Sequence, residues 1–167
     1  GNFDLAALRK AILQHGKENV AAIIMTITNN SAGGQPVSLD NMKAVRKIAD
    51  EFGLKIIIDG ARYAENAYFI KKREPAYAEK SVREIARMQF DLADILLMSS
   101  KKDGLVNIGG LIAIKDDHEL FKKCQIRIVP MEGFPTYGGL AGRDMDALAV
   151  GLNEALEDAY LEYRLAE

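Results

Sequence analysis

Apolar residues recur at helical spacing near the start of the chain, through Leu5, Leu8, Ile12 and Leu13, with Asp4 placed to cap the stretch and Gly16 to end it. The pattern then changes. Val20 to Ile27 is a nearly unbroken apolar and β-branched run, which predicts a strand covered on both faces, and residues 28–36 are rich in Asn, Ser, Gly and Pro and predict a turn-filled loop. From Ser38, Met42, Val45, Ala49 and Phe52 return to the helical period until Gly53, and Lys55 to Ile58 reads as a second buried strand. Strand, helix, strand within about forty residues is the pattern of a right-handed βαβ crossover and hence of a parallel sheet. Ser81 to Phe90 predicts a further helix, Asp94 to Met98 a third strand, and Gly110 to Ile114 an apolar run able to pair with it. One long closing helix is expected through Met145, Leu148, Leu152, Leu156, Tyr160 and Tyr163. The fold class predicted is α/β, a three-layer αβα unit on a mostly parallel sheet, contiguous over 1–167 and without internal repeats.

Composition narrows the classes without changing that picture. The chain has 167 residues, 49% apolar and 28% charged, enough for one core. A net charge of -2, with Lys and Arg scattered, offers no footprint for nucleic acid or an anionic membrane. The apolar runs are far shorter than the roughly 20 residues of a membrane span. Cys124 stands alone and cannot form an internal disulfide, so a cytoplasmic setting is expected, and a nucleophilic role is not, since no His lies near it in sequence. His15 and His118 lack metal-ligand spacing.

Ligands of open α/β sheets gather beyond the carboxyl ends of the strands. Three polar strand ends therefore become site candidates: Asn29 and Asn30, then Asp59 with Arg62, then Ser99 to Lys102. Asp59 follows three isoleucines and needs a partner if desolvated, either Arg62, a helix N-terminus, or a protonated ring nitrogen on a ligand. Lys101 and Lys102 form either a solvated loop or, in a dry site where adjacent ammonium groups depress one another, a nucleophilic amine. Together an Asp, a Lys and the Ser99 hydroxyl match what pyridoxal phosphate requires: a carboxylate for the pyridinium, an amine for the aldehyde and a hydroxyl for the phosphate. Residues 31–35 lack the Lys and hydroxyl of a nucleotide loop and read as a tight turn, and Tyr63, Tyr68 and Tyr137 read as packing residues.

At these residues the chain resembles a known family. TITNNSAGGQPVSL, DGARYAENAYFIKKRE, SSKKDGLVNIGG and MEGFPTYGGLAGRDM look like the tryptophanase and tyrosine phenol-lyase family, in that order and with matching spacing, and the likeness runs through essentially the whole chain. The resemblance implies a middle part of the large pyridoxal-phosphate-binding domain of an aspartate aminotransferase-like enzyme, with the preceding part and the C-terminal small domain lying outside it. It implies that Lys102 forms the Schiff base, Asp59 pairs with the pyridine nitrogen, Arg62 and Asn30 contact the ring oxygen and Ser99 helps bind phosphate. Lys101 falls where the family has a second lysine near the site, and Asn107 where a backbone carbonyl helps ligate a monovalent cation, usually potassium.

The implied reaction is β-elimination on an aromatic L-amino acid by a homo-oligomer, a tetramer in the family, or by this chain with a completing chain. NFDL, AENAYFIKKRE and EGFPTYGG look like the tryptophan-cleaving branch, which releases indole, pyruvate and ammonia. GLVNIGG and GLAGRDM look more like the tyrosine-cleaving branch, which releases phenol. A truncated, inactive domain with a structural or oligomerisation role is the reading from a different class.

Overall fold

A computed structural model describes residues 1–166. Asp4 opens helix α1, Leu5–His15, by accepting hydrogen bonds from the backbone N–H groups of Ala6 and Ala7. Strand β1 covers only Ile23–Thr26 of the apolar run, because those four residues are the ones that pair, in parallel, with β2 at Ile56–Asp59. Helix α2, Leu39–Phe52, lies between them. The Ser38 hydroxyl caps its start through the Asn41 N–H, and Gly53 ends it in the left-handed region at φ 68.

The crossover to β3, Ile95–Ser99, carries two helices where the sequence pattern predicts one. Helix α4, Val82–Asp91, begins with the reciprocal capping box of Ser81 and Glu84. Helix α3, Tyr63–Arg73, gives no apolar stripe to read, because Glu65 and Asn66 are buried on it along with Tyr63, Ala64, Ala67, Tyr68 and Ile70. Strand β4, Gly110–Ile114, runs antiparallel to β3 and completes a sheet of order β1-β2-β3-β4. The sheet is thus mostly parallel and set among helices in the layered αβα class.

Its core is built from Met25, Ile27, Leu39, Met42, Val45, Ile56, Ile58 and Ile85, all essentially inaccessible. Each such side chain stabilises the fold by about 2 kcal/mol relative to exposure. β1 is not covered on both faces as its sequence suggests: Ile23 and Met25 are buried, but Ile24 is 60% exposed.

The C-terminal third departs most from expectation. Helix α5, His118–Met131, goes unpredicted because it buries no residue and contains Pro130. Asp117 caps it through the Leu120 N–H. The single closing helix is two, α6 at Gly142–Glu154 and α7 at Asp158–Arg164. The break at residues 155–157, where Glu157 turns extended (φ -78, ψ 124), lets Ala155 and Leu161 both reach the core, and Lys71 then pairs with Asp158 at 2.7 Å. Ala, Leu and Glu at the break are good helix formers, so the periodicity runs on through it.

Candidate functional site

Parallel pairing brings the carboxyl ends of β1, β2 and β3 to one edge of the sheet. Asp59 closes β2 between Thr26 and Leu97, Ser99 closes β3, and Asn30 opens a single 3-10 turn after β1. Asn30, Asp59, Arg62, Ser99 and Lys102 all line one cleft of about 1050 Å³. Its other wall includes Phe121, Cys124, Tyr137 and Met145. Lys101 and Asn107 are exposed and lie outside the cleft lining.

The charges in the cleft are under-paired. The Asp59 carboxylate accepts one hydrogen bond, from the Ala61 N–H at 3.2 Å, and among the described residues no cation lies within ion-pair distance of it. Arg62 faces elsewhere, with Nε 3.8 Å from Glu65 Oε2 and Nη1 3.5 Å from Asn30 Oδ1. The internal partner that the sequence allows for Asp59 is therefore not used. Lys102 Nζ donates to Ser99 Oγ at 3.1 Å and joins no ion pair among the described residues. One carboxylate without a cation and one amine without an anion thus share a cleft with a hydroxyl between strand ends. That donor set fits a ligand carrying a basic ring nitrogen, an aldehyde and an anionic group.

Two buried polar residues behind the cleft carry no local sequence signal. The Asn66 side chain is fully buried and fully bonded: Oδ1 accepts from Thr28 Oγ1 and the Val37 N–H, and Nδ2 donates to the Val37 carbonyl and Gln89 Oε1. Asp103, next to Lys102 and 6% exposed, accepts from the Ala64 and Glu65 N–H groups at the start of α3. Burial first, and then the neighbouring Glu65, push its carboxyl up to about 7, against the opposing pull of those two N–H groups and Arg62. Every one of these partners is 23 to 39 residues away, beyond any spacing rule.

Tyr63 and Tyr68 are packing residues as expected, and burial pushes the Tyr63 phenol, which donates to the Leu152 carbonyl, up to about 12. Tyr137 is instead 40% exposed on the cleft wall. Residues 31–35 form a tight turn, with Gly33 left-handed and Asn29 bridged to Gln35. Among the described residues no cluster of His, Cys, Asp and Glu could hold a metal ion.

Comparison with known proteins places relatives around this geometry. The family described as β-eliminating lyase matches residues 1–166. A probable tryptophanase of Aeropyrum pernix is 50% identical over 167 residues, covering 100% of this chain and 35% of its own length. The tryptophanase of Salinibacter ruber is 49% identical over 99% of this chain, and that of Escherichia coli O9:H4 is 48% identical over 100% of it. The chain spans about a third of the length of these relatives, 35% and 36% in the last two. Among solved structures, a putative aromatic amino acid β-eliminating lyase/threonine aldolase of Exiguobacterium sp. 255-15 superposes with a TM-score of 0.59 at 18% identity, over 82% of this chain and 34% of that one. A putative L-allo-threonine aldolase of Listeria monocytogenes gives 0.58 at 20% identity, over 80% and 32%. At that identity the superpositions speak for the fold alone.

Proposed function

Because the chain belongs to the β-eliminating lyase family, we propose that it is the lysine-bearing part of a pyridoxal-phosphate-dependent lyase that eliminates the β-substituent of an aromatic L-amino acid, tryptophan in the first place, to give indole, pyruvate and ammonia. The observation that carries this reading is the unpaired Asp59 carboxylate and Lys102 amine in one cleft. The names of the relatives favour tryptophan over tyrosine.

When bound, pyridoxal phosphate supplies an aldehyde for an amine and a ring that withdraws electrons from the substrate α-carbon. Asp59 holds a proton on the ring nitrogen, a task for a carboxylate with no protein cation of its own. Lys102 Nζ would be the amine that holds the cofactor through its aldehyde, and as a free amine it would be the base for the proton on the substrate α-carbon. Arg62 and Asn30, already within 3.5 Å of each other, orient the ring oxygen. Ser99 Oγ, 3.1 Å from Lys102 Nζ, serves the phosphate. A monovalent cation, potassium in the first place, would be held in part by the Asn107 backbone carbonyl, and Lys101 would be the second lysine near the site. The rest of the site and the contacts of a tetramer would come from residues outside this chain. No helix among the described residues is long and apolar enough to cross a membrane.

The test is to incubate the chain with pyridoxal phosphate, reduce with borohydride and map the modified lysines by mass spectrometry. Selective labelling of Lys102, lost in Asp59→Asn, is expected. Labelling spread over many lysines refutes a cofactor pocket in this chain.

A further inference from the structure

The turn that carries Lys102 is tied to the segment that carries Asp59 and Arg62 at three points, and Asp103 makes all three. Its backbone N–H donates to the Ala61 carbonyl at 3.1 Å. Its Oδ2 accepts from the Ala64 N–H at 2.7 Å and the Glu65 N–H at 3.2 Å. Arg62 occupies the N-cap of α3 and makes no side-chain cap bond, so the acceptor that this helix start needs comes from the residue beside Lys102. The turn is held from behind as well. Helix α6 approaches so closely at Gly151 that a Cβ there would collide with the Gly104 carbonyl oxygen.

We infer that Asp103 is a positioning residue that holds Lys102 in register with Asp59 and Arg62. The inference rests on reading those three as the cofactor site. Asp103 touches neither cofactor nor substrate and acts through the turn.

The groups that face it are Glu65, Tyr63 and Arg62 on α3 and its cap and Tyr160 on α7, with Arg164 of α7 3.6 Å from Glu65. Opening the tie returns the carboxyl to water, where it ionises readily, whereas the closed, buried group keeps its proton up to about pH 7. The closed tie therefore binds a proton more tightly than the open one. It is firmest below about pH 4, eases progressively as pH rises from there to about 7, and changes no further above that value. An amide at this position keeps an acceptor oxygen and does not titrate.

The experiment compares the wild-type chain with Asp103→Asn and Asp103→Ala, at pH values from about 4 to about 8. Two quantities are read: hydrogen-exchange protection of the Ala64 and Glu65 amides, corrected for the intrinsic rate, and the share of borohydride-fixed pyridoxal phosphate found on Lys102. In Asp103→Ala, protection should fall by about tenfold or more and the Lys102 share should drop to that of other lysines. Asp103→Asn should restore both and abolish the decline in protection that the wild type shows with rising pH. Wild-type protection and labelling in Asp103→Ala, or an unchanged pH profile in Asp103→Asn, would overturn the inference. If Asp103→Ala does not fold by circular dichroism, the pH profile of Asp103→Asn against wild type decides alone. If the wild-type chain fixes no cofactor on Lys102, the proposed function fails for this chain, and the exchange profiles still decide the tie.

Discussion

Replacing Asp103 by Asn should make the protein more stable, by an amount that grows as pH rises from about 4 to about 7 and then levels off. The carboxyl has an ordinary value of 3.8 and is pushed to about 7 in the fold, by burial first and then by Glu65. Below about pH 4 both folded and unfolded chains carry the proton, and the group does not favour either state. Between about 4 and about 7 the folded chain keeps the proton while the unfolded chain releases it, so stability falls as pH rises. Above about 7 both are ionised and the full cost of burying the charge is present. The interval from 3.8 to about 7 corresponds to about 4 kcal/mol at most. An asparagine oxygen can keep one or both N–H bonds from α3, so Asp103→Asn escapes most of that cost and should gain about 2 kcal/mol or more at pH 8. Near pH 4 the two proteins should be nearly equal. Urea unfolding followed by circular dichroism across this range gives the difference directly, and titrating groups that do not feel the Asp103 charge cancel between the two proteins. A difference that stays constant with pH, or a variant less stable than wild type at pH 8, would refute both the burial of this charge and the sign derived from it.

Asn66→Ala removes four hydrogen bonds from a fully buried side chain and strands the Val37 backbone and Gln89. It should cost about 3 kcal/mol or more in urea unfolding, and a loss under about 1 kcal/mol would contradict the network. Asp94 is held below its ordinary value: burial raises it, but the Ile56 N–H and Arg46, each at 2.7 Å, outweigh burial. Its contribution is present above its unfolded value and is lost as pH falls through the folded one, so Asp94→Asn should cost about 1–2 kcal/mol at pH 7 and progressively less in acid. Ile24, Ile126 and Met131 are 60%, 72% and 77% exposed, so the isolated chain should self-associate. Light scattering should show mass rising with concentration, and Ile126→Glu with Met131→Lys should lower it.

The sequence discloses the elements that bury one face and stay polar on the other. Helices α1, α2 and α4 obey a simple period, the three parallel strands stand out as short apolar runs, and Asp4, Ser38, Ser81 and Gly53 mark the helix ends. Asn30, Asp59, Arg62, Ser99 and Lys102 are legible because strand ends in a parallel sheet must converge. Periodicity fails where burial is not one-sided. Helix α3 is buried around Glu65 and Asn66 and shows no stripe, α5 buries nothing and shows no inward face, and the α6–α7 break falls on residues that favour continuing.

The helix that the pattern misses is the one against which the site is registered. Asn66 on α3 holds Thr28, whose φ of 48 is costly for a β-branched residue and is sustained by the bond from its hydroxyl to Asn66 Oδ1. That conformation directs the chain from β1 into the turn carrying Asn30. The N-terminus of the same helix holds Asp103 and with it the turn carrying Lys102, while Arg62 is its N-cap. Two of the three loops are thus referenced to one helix by buried hydrogen bonds rather than by apolar contact, and the third runs directly into it. Apolar packing tolerates shifts of the order of a methyl group, whereas a buried hydrogen bond weakens steeply with small changes in distance or angle. A cleft that must place an amine, a carboxylate and a guanidinium around one ligand gains its precision from such bonds, and they leave no periodic trace in the sequence.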